Sequence, residues 1–135
     1  MSKRLTKQEF EEMRTLGALN PVGHVLIAVE SDDAARELAK SLQGAGFDQD
    51  DILVYTSGEL FPDLNDMMRS ASGAAGFGYE ITLMRRYMTL ANERCGWVVV
   101  YAPEEEQIKL VQDLVKQAGA KSAVHYGRLL HEDLV

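Results

Sequence analysis

Gly23-His24-Val25-Leu26-Ile27-Ala28-Val29 is an apolar run that passes through Ser31-Asp32-Asp33 into an amphipathic stretch closing at Ala45-Gly46-Phe47. The plan recurs at Gly96-Trp97-Val98-Val99-Val100-Tyr101-Ala102, which passes through Pro103 and Glu104-Glu105-Glu106 into a stretch closing at Ala118-Gly119-Ala120. The two starts, at 23 and 96, lie 73 positions apart, and Ala35/Ile108, Leu38/Val111, Leu42/Val115 and Ala45/Ala118 superpose without a gap. An apolar run of strand length, then an apolar period of helical spacing, then a second short run reads as a strand–helix–strand unit. Two such units in tandem predict an α+β, ferredoxin-like split βαβ–βαβ fold. Its four-stranded, mostly antiparallel sheet has the order 4-1-3-2. A parallel doubly wound sheet is the alternative, but the repeat makes the split arrangement more economical.

Working outward, residues 22–56 form the first unit. Its first strand runs from His24 to Glu30, and Ser31 or Asp32 can accept hydrogen bonds from the free amides of the helix that follows. Ala35, Leu38, Ala39 and Leu42 make the buried face of that helix, and Gly44 or Gly46 supplies the left-handed residue that ends it. Asp51 to Thr56 is the second strand. Residues 97–135 form the second unit, with strand Trp97–Ala102, helix Glu104–Gln117 and strand Ser122–Leu129. Pro103 stands near a helix start, where its missing amide costs least, and Glu104 to Glu106 complement the positive end of the helix dipole.

Two further segments complete a single domain of 135 residues. In residues 1–21, Thr6-Lys7-Gln8-Glu9 has the form of a capping box, and Phe10, Met13 and Leu16 recur at helical spacing until Gly17. Asn20-Pro21 then breaks the helix. Residues 57–96 are too long for a bare loop. Leu60, Leu64, Met67 and Met68 predict one helix there, Ser72 to Gly78 a hinge, and Tyr79 to Arg94 a second helix striped by Ile81, Met84, Met88 and Ala91. This helical insertion replaces the usual hairpin between the second and third strands.

The central strands are apolar at both parities, so both faces of the sheet should be buried. The two repeat helices cover one face. The other needs the insertion, the N-terminal helix or a second subunit, and a homodimer with the inserted helices at its interface is expected.

Composition bounds the function. A net charge of −7 argues against binding nucleic acid or an anionic membrane, both of which need a positive field. The single cysteine, Cys95, excludes an internal disulfide and a thiolate zinc cluster, and a buried free thiol is the expected reading. No signal-peptide core and no apolar run of spanning length are present, so the default location is cytoplasmic.

The Ala-Gly-Phe turn before Asp50-Asp51-Ile52 and the ending Gly119 to Arg128 resemble the bacterial general-stress, heat-induced stress protein group. So do the overall plan and two middle motifs, Gly-Phe-Gly-Tyr-Glu at 76–80 and Leu-Met-Arg-Arg-Tyr at 83–87. The similarity spans roughly residues 22 to 134. It implies a small ferredoxin-like domain without an assigned reaction. Many members of the broader group carry a long glycine-zipper insertion; here the Gly73–Gly78 stretch is short and runs into Glu80.

Two constellations carry candidate chemistry. Gly76, Phe77 and Gly78 precede a helix, where glycines let the backbone approach an anion and free amides favour negative charge. Arg85 and Arg86 follow two turns on and can add cationic contacts. The competing reading is a hinge between packed helices, and Glu80 at the helix start opposes an anion. His125, Tyr126, Arg128 and His131 form the second group. At strand spacing His125 and Gly127 share one face, Tyr126 and Arg128 the other, and His24 lies on a strand expected to pair with this one. Histidine can serve as base, ligand or sensor, but the competing reading is a polar edge strand. The acidic clusters at 32–33, 48–51, 104–106 and 132–133 read as solvated caps, and no metal site or cofactor motif is present.

The function expected from these features is that of a non-enzymatic, stress-related or regulatory domain binding a small anionic ligand or a protein partner. One alternative is a pure protein–protein module using an exposed stripe of Met67, Met68, Met84 and Met88. The other is a small enzyme with His125 or His131 as general base in a dimer cleft.

Overall fold

The two copies seen in the sequence become two helices of matching position. α2 spans Asp32–Gly44 and, 73 residues on, α4 spans Glu105–Gln117. Ser31 caps the first, its hydroxyl accepting from the Ala34 amide at 3.1 Å. Glu104 occupies the equivalent place in the second, where its carboxylate and the Gln107 side chain form a reciprocal capping box. Both helices end in the same way. Gly46 (φ 112°) and Gly119 (φ 67°) take positive φ, which a side chain would resist. The Phe47 amide then reaches back to the Leu42 carbonyl at 3.1 Å, and the Ala120 amide to Val115 at 3.0 Å.

The structure, a computed structural model, describes residues 4–15, 20–60, 78–127 and 131–135. Besides the repeat helices these contain α1 (Lys7–Thr15) and α3 (Gly78–Asn92). The strands are β1 (His24–Val29), β2 (Ile52–Tyr55), β3 (Gly96–Tyr101), β4 (Ser122–Tyr126) and β5 (His131–Asp133). They form one antiparallel sheet in the order β2-β3-β1-β4-β5. The fold is therefore α+β, and its first four strands stand in the expected 4-1-3-2 order.

The expected four-stranded sheet has to be corrected to five strands: the strand read from Ser122 to Leu129 is shorter, and a further strand, β5, follows beyond it. β4 stops at Tyr126, and His131 pairs back across from it. Only four positions separate the paired residues, a connection of hairpin length. Leu134, 2 % exposed, anchors the return strand in the core, and its amide donates to the Ala123 carbonyl at 2.8 Å.

Each sheet face has its own core. One packs Val25, Ile27, Val98 and Val100 against Leu38 and Leu42 of α2 and Val111 and Val115 of α4. The other packs Leu26, Trp97, Val99 and Tyr126 against Phe10 of α1 and Leu83, Tyr87 and Leu90 of α3. This second face is the one for which the sequence left a second subunit open. α1 and α3 cover it from within the chain, so burial of the sheet supplies no reason for a homodimer.

The insertion matches its expectation in part. α3 lies where the second inserted helix was predicted, while Leu64, Met67 and Met68 fall outside the described residues. Its buried stripe is rotated from the one expected: Leu83, Met84, Tyr87 and Leu90 are buried, with Met88 and Ala91 half-buried. Apolar residues offer two overlapping stripes along this helix. The Tyr87 hydroxyl selects between them by meeting the Tyr126 hydroxyl at 2.6 Å inside the core. Met84 is thus a core residue and does not belong to an exposed methionine stripe.

Candidate functional site

β4 and β5 carry most of the residues singled out for chemistry, and the pleat sorts them onto opposite sides. Tyr126 and His131 are register partners on the α3 side, their rings 4.5 Å apart. His125 and Glu132 are register partners on the α4 side. Val25 stands opposite His125 on β1, so His24, one residue earlier, projects to the side away from His125. The sheet therefore separates His125 from Tyr126 and from His24, and the histidines do not assemble into one centre.

On the α3 side, the polar groups are fasteners. Arg86 donates to the Asp133 carboxylate at 2.7 Å and ties α3 to the sheet edge. Tyr87 and Tyr126 share a buried hydrogen bond. His131 Nε2 lies 3.4 Å from the Asn20 side-chain oxygen. Arg85 is exposed on the outer surface of α3, its carbonyl accepting from the Thr89 hydroxyl. Gly78 opens α3, while Gly76, Phe77 and Arg128 lie outside the described residues. Of the proposed anion site, the structure thus describes Gly78 and the two arginines, one of which is already paired.

His24 starts β1 and is 1 % exposed. Its Nδ1 lies 3.0 Å from the Val22 carbonyl oxygen, and its Nε2 accepts from the Leu5 amide at 3.2 Å. The Tyr101 ring packs 4.9 Å away. Burial pushes the His24 imidazole below its ordinary pKa, against the opposing pull of the Val22 and Pro21 carbonyls and of Asp51.

On the α4 side, an open cleft of about 450 Å³ is lined by Glu105, Glu106, Ile108, Lys109, Gln112 and Glu132. Gln112 also donates to the Leu134 carbonyl at 3.1 Å, tying α4 to the end of the chain. Carboxylates outnumber the one lysine, so the cleft attracts cations and repels anions. His125, across from Glu132, has an Nε2 that is sealed from solvent and without a hydrogen-bond partner. Burial lowers its pKa, opposed by the Glu132 charge and a hydrogen bond with the Ala102 backbone. A nitrogen so enclosed cannot reach a substrate proton.

Cys95 is fully buried, and burial raises its thiol pKa, which leaves it inert as the sequence suggested. Among the described residues no group of histidine, cysteine and carboxylate side chains could hold a metal ion. None of the described helices is long and apolar enough to cross a membrane. The sequence reading missed the contact between His24 and Leu5 and the partnership of Tyr87 with Tyr126. Neither leaves a local signal, because the partners lie 19 and 39 residues apart.

No protein-family model matches the chain, and no curated protein or solved structure matches it.

Proposed function

We propose that this chain is a ferredoxin-like, non-enzymatic binding domain of the stress-related or regulatory kind, and that its partner is a protein. The observation that carries this reading is the employment of the candidate side chains as structural clips. Arg86 is paired with Asp133, Tyr126 with Tyr87, and His24 with Leu5 and Val22. Side chains engaged in this way hold a surface in shape but do not turn over a substrate. The sealed Nε2 of His125 weighs against a histidine base in the same way.

A small anionic ligand is the weaker arm of the proposal. Arg86 already answers Asp133, and the cleft beside α4 carries the wrong charge. A homodimer is compatible with the proposal but not required by it.

A native mass spectrum of protein purified without added ligand tests the choice. The bare mass of the chain or of its oligomer is expected, with no shift of the amides near Arg85 on titration with inorganic phosphate. A stoichiometric adduct that Arg85→Ala removes would overturn the protein-partner reading in favour of an anion-binding domain.

A further inference from the structure

Three of the described contacts of the N-terminal segment hold it to one face of the sheet. Phe10 is fully buried, with its ring 5.7 Å from that of Tyr55. Arg4 pairs with Asp51 at 3.0 Å. The third contact differs from the others because it depends on a lone pair. The Val22 carbonyl can only accept, so the His24 Nδ1 facing it carries the proton. The Leu5 amide can only donate, so the Nε2 facing it must not. The two bonds together admit the neutral Nδ1–H imidazole and no other form.

We infer that His24 is a proton-sensitive latch: neutral, it holds the segment from Arg4 to Thr15 on the sheet, and protonated, it lets that segment go. An imidazolium has no lone pair for the Leu5 amide, so two N–H groups would meet head-on. The charge would also sit on a residue 1 % exposed. Opening relieves both.

The ionisable neighbours support the direction. Asp51, on the turn before β2, favours a positive His24, but in the closed state its carboxylate is taken by Arg4. Release of the segment removes Arg4 and leaves Asp51 to the imidazolium. His125 on β4 disfavours the charge, and Tyr101 contributes its ring from β3. Further along the segment, Lys7 lies over the Tyr55 ring at 4.9 Å, and Glu11 and Glu59 border the small cleft beside it. This latch goes beyond the binding reading above and does not depend on it. What it uncovers is the apolar seat of Phe10 on Tyr55.

The sign follows from the lowered imidazole. The latch holds fully above the ordinary histidine value of 6.5 and weakens as pH falls from there towards the lowered value of the closed state. Below that value both states are protonated and the weakening stops. One proton links the two states, so within this window the protection factor of the Leu5 amide should fall by up to about tenfold per pH unit.

The test is nuclear magnetic resonance on the full chain across this range. At neutral pH the His24 ring nitrogens should report the Nδ1–H tautomer, and Leu5 protection should begin to fall near pH 6.5, before the ring of the closed chain titrates. His24→Gln, which offers an amide oxygen in place of Nε2 and does not titrate, should abolish the pH dependence. His125→Gln should keep it. An Nε2–H tautomer at neutral pH would overturn the latch, as would Leu5 protection that does not change as pH falls through this window. So would an unchanged dependence in His24→Gln. If that variant does not fold, the tautomer and the pH dependence of Leu5 protection in the natural chain decide alone.

Discussion

The two faces of the sheet are covered in different ways. On one, α2 and α4 each follow directly from the strand they pack against, with caps and glycine-ended turns repeated at the same spacing. Their hold is a continuous apolar stripe from the same βαβ unit. On the other, α1 and α3 come from outside the repeat and are clipped down by His24 to Leu5, Tyr87 to Tyr126 and Arg86 to Asp133. One face depends mainly on hydrophobic area, joined by the hydrogen bond from Gln112 to the Leu134 carbonyl. The other adds polar and ionisable contacts, so it is the face that conditions can open.

The largest effect should separate the two faces directly. Leu42 is fully buried under α2, and Leu42→Ala is expected to cost roughly 2–5 kcal/mol in a single urea transition. Phe10 is as buried and larger, yet it sits on a short helix held by clips. Phe10→Ala should therefore strip amide protection from α1 while moving the urea midpoint less than Leu42→Ala does. Equal midpoint shifts would break the distinction.

A smaller effect is expected where β3 meets α2. A Cβ on Gly96 would lie 2.4 Å from the Ser31 carbonyl oxygen and 2.9 Å from the Ala35 Cβ. Both are fixed by the helix start, so Gly96→Ala should destabilise by about 1–3 kcal/mol in denaturant melts. An unchanged midpoint would mean that α2 can slide, and that its face is looser than described.

The clips themselves should rank lowest. Tyr126→Phe deletes half of a buried hydroxyl pair and should cost about 1 kcal/mol. Arg86→Ala breaks an ion pair whose members are 36 % and 42 % exposed, worth about 0–1 kcal/mol and less at high salt. If Arg86→Ala costs more than Tyr126→Phe, the α3 face is held at its rim, and the comparison would need to be redrawn there.

Legibility in the sequence followed the same division. The repeat helices, their caps and the buried β1 and β3 strands could all be read, because each rests on spacing within about twenty residues. The fifth strand was missed, since His131 to Asp133 is polar and its place depends on Leu134 reaching a core built by other elements. The rotation of α3 was missed for the same reason: Tyr126, which selects it, is 39 residues away. Of the candidate site, the alternation of His125 and Tyr126 was legible from strand parity, and the bonds that occupy those side chains were not.

The sequence by itself determined the two βαβ units, the strand order they impose and an acidic chain with one buried thiol. Apolar periodicity and capping are local properties, and they act before any tertiary contact forms. Only the tertiary structure decided that α1 and α3 close the second face and that Arg86 and Tyr126 serve as clips. It also decided that the lone pair of His24 faces the Leu5 amide. Those are pairings between distant positions, and a hydrogen bond has no address in the chain until both of its ends have been brought together.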